Sequence, residues 1–343
     1  MPKLLYGVSP IGLGHATRTV AILEVLTTMG PEVRLFSGGD AARFFKACGY
    51  PSEDIVSDSA PAVANGELKR ASLWYLRSWA ALKRTSRRTE RIFDDYEPDL
   101  VVCDEEFSGI GVAAKRGCKN VFISDELELG FARGRFAKAV EKRVDGWYKR
   151  LQESVDVLVI PEFGDDSGNR RYVGPVVRPV TRSAAETRAA HGLPAEGRMI
   201  LLSLSGSGIG AFLLDVVVSA LTEKPIPDTL LVVSGNRGRR VSAEGVYDLG
   251  LVVDNQNLVA ASDLVVSTAG KSTQDEAASE GTPFIGVPIS HHAEQERNAA
   301  SLGYSASDAK RIRELIVSNI GKRSAPLKFQ GARRVCDVLT SLL

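Results

Sequence analysis

Cysteine is scarce in this chain. Its four residues, Cys48, Cys103, Cys118 and Cys336, stand without paired spacing, and Cys103 and Cys118 lie in or beside apolar runs. That excludes a disulfide framework and a zinc site built on cysteine pairs. Histidine is as rare; His291 and His292 adjoin, but no neighbouring His, Cys or Asp spacing makes them metal ligands, and no metal is expected. An excess of charge is also missing, with 43 Lys plus Arg against 42 Asp plus Glu. Nucleic-acid binders usually carry a basic excess, so no nucleic-acid partner is expected. No apolar run approaches the ~18 residues of a spanning helix, and no charged n-region with an apolar core opens the chain. The expected location is cytoplasmic, at most peripheral at the inner face of a membrane.

What is present is alternation. Strand-like runs at Lys3 to Val8, Glu32 to Phe36, Leu100 to Cys103 and Asn120 to Ile123 are separated by helical stretches, the first from about Thr17 to Met29. A second series starts near Met199 and continues with Leu230 to Ser234, Leu249 to Val253, Leu264 to Ser267 and Phe284 to Val287. Strand and helix in alternation predict parallel α/β sheets. Two such series in 343 residues predict two doubly wound Rossmann-like domains, 1–174 and 175–325, with a C-terminal helix over 326–343. The break falls in Tyr172 to Pro179, where two prolines and a glycine suit an extended linker. The last helix places Val335, Val338, Leu339 and Leu342 on one face.

The segment Ser267 to Asn298 carries the most chemistry. An apolar strand ends in small residues and a helix opens, so Ala269, Gly270, Lys271, Ser272 and Thr273 offer amide donors and hydroxyls where the helix dipole favours anions. Glu276, within that helix's first turns, suits the two hydroxyls of a ribose. The run GKST is not a Walker A loop, because the glycine required five residues before Gly270 is Val265. After the first strand comes Ser9 to Arg18, with Gly12, Gly14 and His15 but Thr17 in place of a third glycine, which disfavours a dinucleotide site. His15 therefore stands at the carboxyl end of a parallel strand, as a general base or as a helix-packing residue. Ser205, Gly206, Ser207 and Gly208 repeat the turn after the first strand of the second series.

With GxGH after the first strand, a GPVVR linker, a Ser-Gly-Ser-Gly turn and STAGKSTQDE through QERNA, the chain resembles GT-B glycosyltransferases of the MurG type (family 28) and their MurG-like relatives in archaea and bacteria. The acidic cluster Asp104 Glu105 Glu106 after Pro98 Asp99 Leu100 fits the latter. The resemblance implies a GT-B fold, two Rossmann-like domains facing across a cleft. It also implies a metal-independent, inverting transfer from a nucleotide-sugar, UDP-linked as in that family, to an acceptor hydroxyl. By the same resemblance Ser205, Gly206, Ser207, Gly208 and Ala269 to Thr273 meet the diphosphate, Glu276 takes the ribose, and Gln295 reads the donor sugar. The uracil falls near Val252 and Val253. Gly12, Gly14 and Glu106 lie on the acceptor side, with His15 the first candidate for the catalytic base and Asp104 the second; Glu106, Asp125 and Glu126 are further alternatives. Gln295 is followed by Glu296 where the family has a second glutamine, which leaves the sugar open. No cofactor is implied, since the nucleotide-sugar is a substrate.

Two stretches suggest a lipid-linked acceptor at a membrane surface. Lys69 to Arg91 combines Leu73, Trp74, Leu76, Trp79 and Leu82 with eight Lys or Arg and one acid, Glu90. Phe131 to Arg150 sets Phe131, Phe136, Trp147 and Tyr148 among Arg133, Arg135, Lys138, Lys142 and Arg143. Such helices lie at bilayer interfaces or pack on a core with a solvated basic face. Two other functions fit the same layout: a UDP-sugar 2-epimerase, and a non-catalytic subunit that binds a nucleotide-sugar or polyprenyl phosphate.

Overall fold

The computed structural model describes residues 1–57, 62–64, 67–69, 71–125, 135–204, 210–236, 238 and 240–343, of which 62–64, 67–69, 71–76, 135–138 and 140 are described by their backbone alone. The first half runs β1 Lys3–Val8, α1 Gly14–Leu26, β2 Glu32–Ser37, α2 Gly39–Ala47, β3 Ser52–Asp54, the hairpin β4 Ala62–Ala64 and β5 Glu67–Lys69, α3 Ala71–Tyr96, β6 Leu100–Asp104, α4 Phe107–Arg116, β7 Lys119–Ile123, α5 Arg135–Ser154, β8 Val157–Ile160 and β9 Arg170–Tyr172. It continues with α6 Ala184–Ala190, β10 Arg198–Ser203, α7 Ala211–Glu223, β11 Thr229–Ser234, β12 Val246–Gly250, α8 Asn255–Ala261, β13 Leu264–Ser267, α9 Lys271–Glu280, β14 Phe284–Gly286, α10 Ala293–Ser301, α11 Ile312–Asn319 and α12 Gly331–Leu342.

The chain divides into two compact units. One holds Met1–Pro61, Arg70–Val177 and Phe329–Leu343; the other holds Ala62–Lys69 and Arg178–Lys328. In the first, seven parallel strands lie in the order β3-β2-β1-β6-β7-β8-β9. In the second, five lie in the order β12-β11-β10-β13-β14, again all parallel. Each order reverses direction beside its first strand, as in doubly wound folds, so the loops leaving the two strands at the reversal sit side by side. Parallel sheets are covered on both faces, which is why β1, β6, β10 and β13 read as continuous apolar runs and are buried throughout their centres. Each such Leu, Ile or Val contributes about 1.5–3 kcal/mol through burial.

Three boundaries differ from the sequence reading, each for a local reason. Helix α1 begins at Gly14 rather than Thr17, because Gly12 turns the chain in the left-handed region (φ 73°) and Thr17 N–H already closes a helical bond to Leu13 C=O at 2.8 Å. The apolar run expected as a strand at Leu249 to Val253 is mostly loop; the strand is the half-exposed edge strand β12, ending at Gly250, whose outward face weakens the apolar signal. The final helix starts at Gly331, not Pro326. Its buried face is Val335, Cys336 and Leu339, and Cys336 Sγ approaches the Ile22 carbonyl of α1 at 3.4 Å, so the chain end returns to the first unit.

Candidate active site

In the first unit, parallel register sets Val8 of β1 opposite Asp104 of β6, and Ser9 N–H donates to the Asp104 carbonyl at 2.9 Å. This is the reversal point of the sheet, and α1 rises from it. His15 and Arg18, three residues apart and so on one face of α1, both reach Asp104. His15 Nδ1 lies 2.9 Å from Asp104 Oδ1, and Arg18 Nε donates to Asp104 Oδ2 at 2.6 Å. Arg18 also donates to Asp104 Oδ1 and to Asp125. Asp104 is wholly buried, whereas the His15 side chain keeps 24% of its exposure, so of the two it is the imidazole that can meet a ligand. The two candidates for the base thus form one assembly.

Electrostatics follow from that packing. Burial alone would push the Asp104 carboxyl up, but the charge and hydrogen bonds of Arg18, with His15, outweigh it and hold its pKa below the ordinary value. Burial would weaken His15 as a base; the hydrogen bond to Asp104 and its charge win, and its pKa lies above 6.5. Glu105 behaves in the opposite way. Desolvation raises it to about 7, although Tyr148 Oη donates to it at 2.8 Å. Its backbone is in the left-handed region (φ 49°), a conformation that costs a non-glycine residue about 1–3 kcal/mol and tends to occur at functional sites. Glu106 caps α4: its oxygens accept from Ser108 N–H at 2.9 Å and Gly109 N–H at 2.8 Å. Three consecutive acids therefore have three tasks, and Glu105, the one that keeps partial exposure, is the one the sequence did not single out.

In the second unit Ser203 and Ser267 lie opposite each other at the ends of β10 and β13, the corresponding reversal point. The loop from β13 to α9 is held tightly. Ala269 is fully buried with φ 60°, and Asn298 Nδ2 donates to its carbonyl at 3.1 Å. Gly270 is the N-cap of α9 and has no side chain to satisfy the first amides of the helix, while a Cβ there would meet nothing within 4 Å among the described residues. Those N–H groups lie at the helix end to which the sequence reading assigns the diphosphate. Lys271 turns to Asp275, four residues on, instead of standing free. Ser272 and Thr273 are half-buried in the first turn.

Glu276 is buried, and desolvation raises its pKa to about 7 against the opposing charge of Arg178 and a hydrogen bond from Asn255. Asn255 also joins the ends of β10 and β11, accepting from Ser234 Oγ at 2.7 Å and donating to Ser203 Oγ at 3.2 Å. Arg178, the last residue of the GPVVR linker, donates to the Val253 carbonyl. That carbonyl, in the segment the sequence associates with uracil, is thereby engaged. Gln295 is buried and its Oε1 accepts from Ile289 N–H at 3.1 Å, so only its amide N–H groups remain for a ligand. Ser205, Gly206, Ser207 and Gly208, together with Glu126, lie outside the described residues. Asn255, Asn298 and Arg178 were missed by sequence reasoning. Arg178 and Asn298 stood in quoted motifs without a role being read from them, and a lone asparagine such as Asn255 carries no spacing signal.

Comparison with known proteins finds glycosyltransferases of this fold. Residues 243–310 match the glycosyltransferase family 28 C-terminal domain. An uncharacterized glycosyltransferase of Methanosarcina acetivorans is 23% identical over 87% of this chain and 82% of its own length. The UDP-N-acetylglucosamine–N-acetylmuramyl-(pentapeptide) pyrophosphoryl-undecaprenol N-acetylglucosamine transferase of Nocardioides sp. is 26% identical over 90% of this chain and 85% of its own. Among solved structures, MurG of Acinetobacter baumannii superposes with a TM-score of 0.59 at 15% identity, over 99% of this chain and 100% of that one. The resemblance to MurG-type enzymes covers both units, and the fold is that of the GT-B glycosyltransferases.

Proposed function

We propose that this chain, a glycosyltransferase of the GT-B fold, moves a sugar from a UDP-linked donor, such as UDP-N-acetylglucosamine, to an acceptor hydroxyl with inversion and without a metal ion. The observation that carries the reading is the His15–Asp104 pair at the carboxyl edge of the first sheet, with the imidazole partly exposed and the carboxylate wholly buried. In the transfer, the acceptor oxygen forms a bond to the anomeric carbon as the bond from that carbon to the diphosphate oxygen breaks. The hydroxyl proton passes to His15 Nε2, and the imidazolium formed is stabilised by Asp104. The electron pair leaves with the diphosphate, whose added charge is met by the uncapped amides of α9. Glu276 accepts from the ribose hydroxyls, and Gln295 offers its amide to the sugar.

The uncapped helix end supports metal independence, because amide donors there supply the anion stabilisation otherwise given by a cation. Activity is therefore expected to survive EDTA; strict dependence on added Mg²⁺ or Mn²⁺ would overturn that part. The Nocardioides relative, named for transfer to a pyrophosphoryl-undecaprenol acceptor, supports a lipid-linked acceptor here. So does the surface of α3. Ala81, Thr85, Thr89, Ile92 and Tyr96 form its buried face, leaving Arg77, Lys83, Arg84, Arg87, Arg88 and Arg91 exposed with Trp79, which is 56% exposed and edge-on to Trp147 of α5. Leu73, Trp74 and Leu76, and the residues 131–138 of the second stretch, lie outside the described side chains. No described helix is long and apolar enough to cross a membrane, so attachment would be at the surface. The deciding experiment incubates the protein with UDP-N-acetylglucosamine and polyprenyl-pyrophosphate acceptors. Transfer supports the proposal, and an epimerised nucleotide-sugar formed without acceptor would favour the epimerase instead.

A further inference from the structure

Two neighbours make incompatible demands on one atom of His15. Asp104 Oδ1 lies 2.9 Å from Nδ1 and Arg18 Nη2 lies 3.1 Å from it. A carboxylate at that position requires Nδ1 to carry a proton; a guanidinium N–H requires Nδ1 to present a lone pair. A single ring nitrogen does one or the other, and the choice fixes whether the outward Nε2 is basic or already protonated.

The rest of the assembly decides it. Arg18 has better acceptors than an imidazole: both oxygens of Asp104, reached through Nε at 2.6 Å and through Nη2, and Asp125 through Nη1. Two of its N–H groups meet the two oxygens of the Asp104 carboxylate, the bidentate pairing that makes such contacts strong. Asp104 is wholly buried, and a buried carboxylate stays ionised only beside such a partner. An ionised Asp104 is in turn a much stronger acceptor for Nδ1–H than a neutral acid. We infer that Arg18 is a positioning residue for the base: by keeping Asp104 ionised and oriented, it commits the proton of neutral His15 to Nδ1 and leaves Nε2 as the free lone pair.

A second consequence concerns the strength of the base. The charged groups that face His15 are Arg18 on its own helix, Asp104 and Glu105 at the end of β6, and Asp125 after β7. Asp104 and Asp125 favour the imidazolium, and Arg18 opposes it. Arg18 thus secures the tautomer while its own charge opposes protonation of the ring.

The inference rests on His15 as the base, but it concerns the free protein and is measured without donor or acceptor. The chain has only four histidines, His15, His191, His291 and His292, so ¹⁵N-histidine labelling of the whole chain gives few signals, and those of His15 are identified by their loss in His15→Gln. Long-range ¹H–¹⁵N spectra across a pH titration should show neutral His15 protonated on Nδ1. In Arg18→Met the neutral ring should lose its preference for Nδ1–H, with a roughly tenfold shift toward the Nε2-protonated tautomer, and in Arg18→Lys it should keep the parent tautomer. A neutral His15 protonated on Nε2 in the parent, or an unchanged tautomer in Arg18→Met, overturns the inference. Should Arg18→Met fail to fold, Asp125→Asn keeps it testable. It leaves Arg18 to Asp104 alone, so the Nδ1–H tautomer should persist, and its loss counts against the role. An Nδ1–H tautomer in a protein that transfers no sugar would refute the glycosyl-transfer reading alone.

Discussion

His15, Glu105 and Glu276 are ordinary side chains whose chemistry is altered by what surrounds them, and each alteration has a measurable sign. If His15 is the base, His15→Ala lowers kcat by about 10²–10⁴-fold with little change in donor KM. The acid limb of kcat/KM should fall as pH drops through a midpoint above the ordinary histidine value, since protonation removes the lone pair. Glu105 titrates near about 7 in the fold and near 4.5 when unfolded, so the folded state binds the extra proton between those values. Its contribution to stability is present below the lower value and is lost as pH rises through the upper one. Glu105→Gln should therefore raise Tm relative to the parent at about pH 8 and leave it unchanged near about pH 4; equal shifts at both would show that desolvation of this carboxyl is not the cause. Glu276, also near about 7, must be ionised to accept two hydroxyls. Affinity for UDP-N-acetylglucosamine, whose phosphates do not titrate in this range, should rise with pH through that value. Calorimetry on Glu276→Gln should give a flat, weaker profile.

At the scale of elements, the close approach of α4 to β6 positions the acidic cluster. A Cβ at Gly109 would lie 2.5 Å from Cys103 Sγ and 3.3 Å from Glu106 Oε2. Gly109→Ala must push α4 off the sheet and disturb its cap, for a loss of about 1–3 kcal/mol in denaturant unfolding. An unchanged midpoint would mean the helix is less tightly seated than the packing indicates. Gly12 and Gly270 are glycines for other reasons, the first for its left-handed φ and the second as an uncapped helix start. The elements themselves were legible where burial is two-sided: β1, β6, β10 and β13 are runs of Leu, Ile and Val that a parallel sheet requires. Edge strand β12 was not, because half its surface faces outward and its composition resembles a loop.

At the scale of the whole molecule, the chain end belongs to the unit that began it. Val335, Cys336 and Leu339 of α12 are buried in the first unit, and Lys119 Nζ donates to the Leu342 carbonyl at 2.6 Å. Removing Phe329–Leu343 should lower the unfolding midpoint of that unit while leaving the second near its original value, separating a transition that overlaps in the full chain; a uniform shift would show that the two unfold as one. The sequence by itself determined the two parallel α/β series, the strand-to-helix junction at Gly270 and the placement of His15 at a strand's carboxyl end, because periodicity and turn chemistry act over a few residues. Only the tertiary structure decided that Asp104 and Arg18 close on His15, that Asn298 and Asn255 brace the second site, and that α12 returns to α1. Apart from Arg18 and His15, which share a helix, those contacts join residues 21 to 314 positions apart, and sheet order, which local sequence does not encode, is what brings them together.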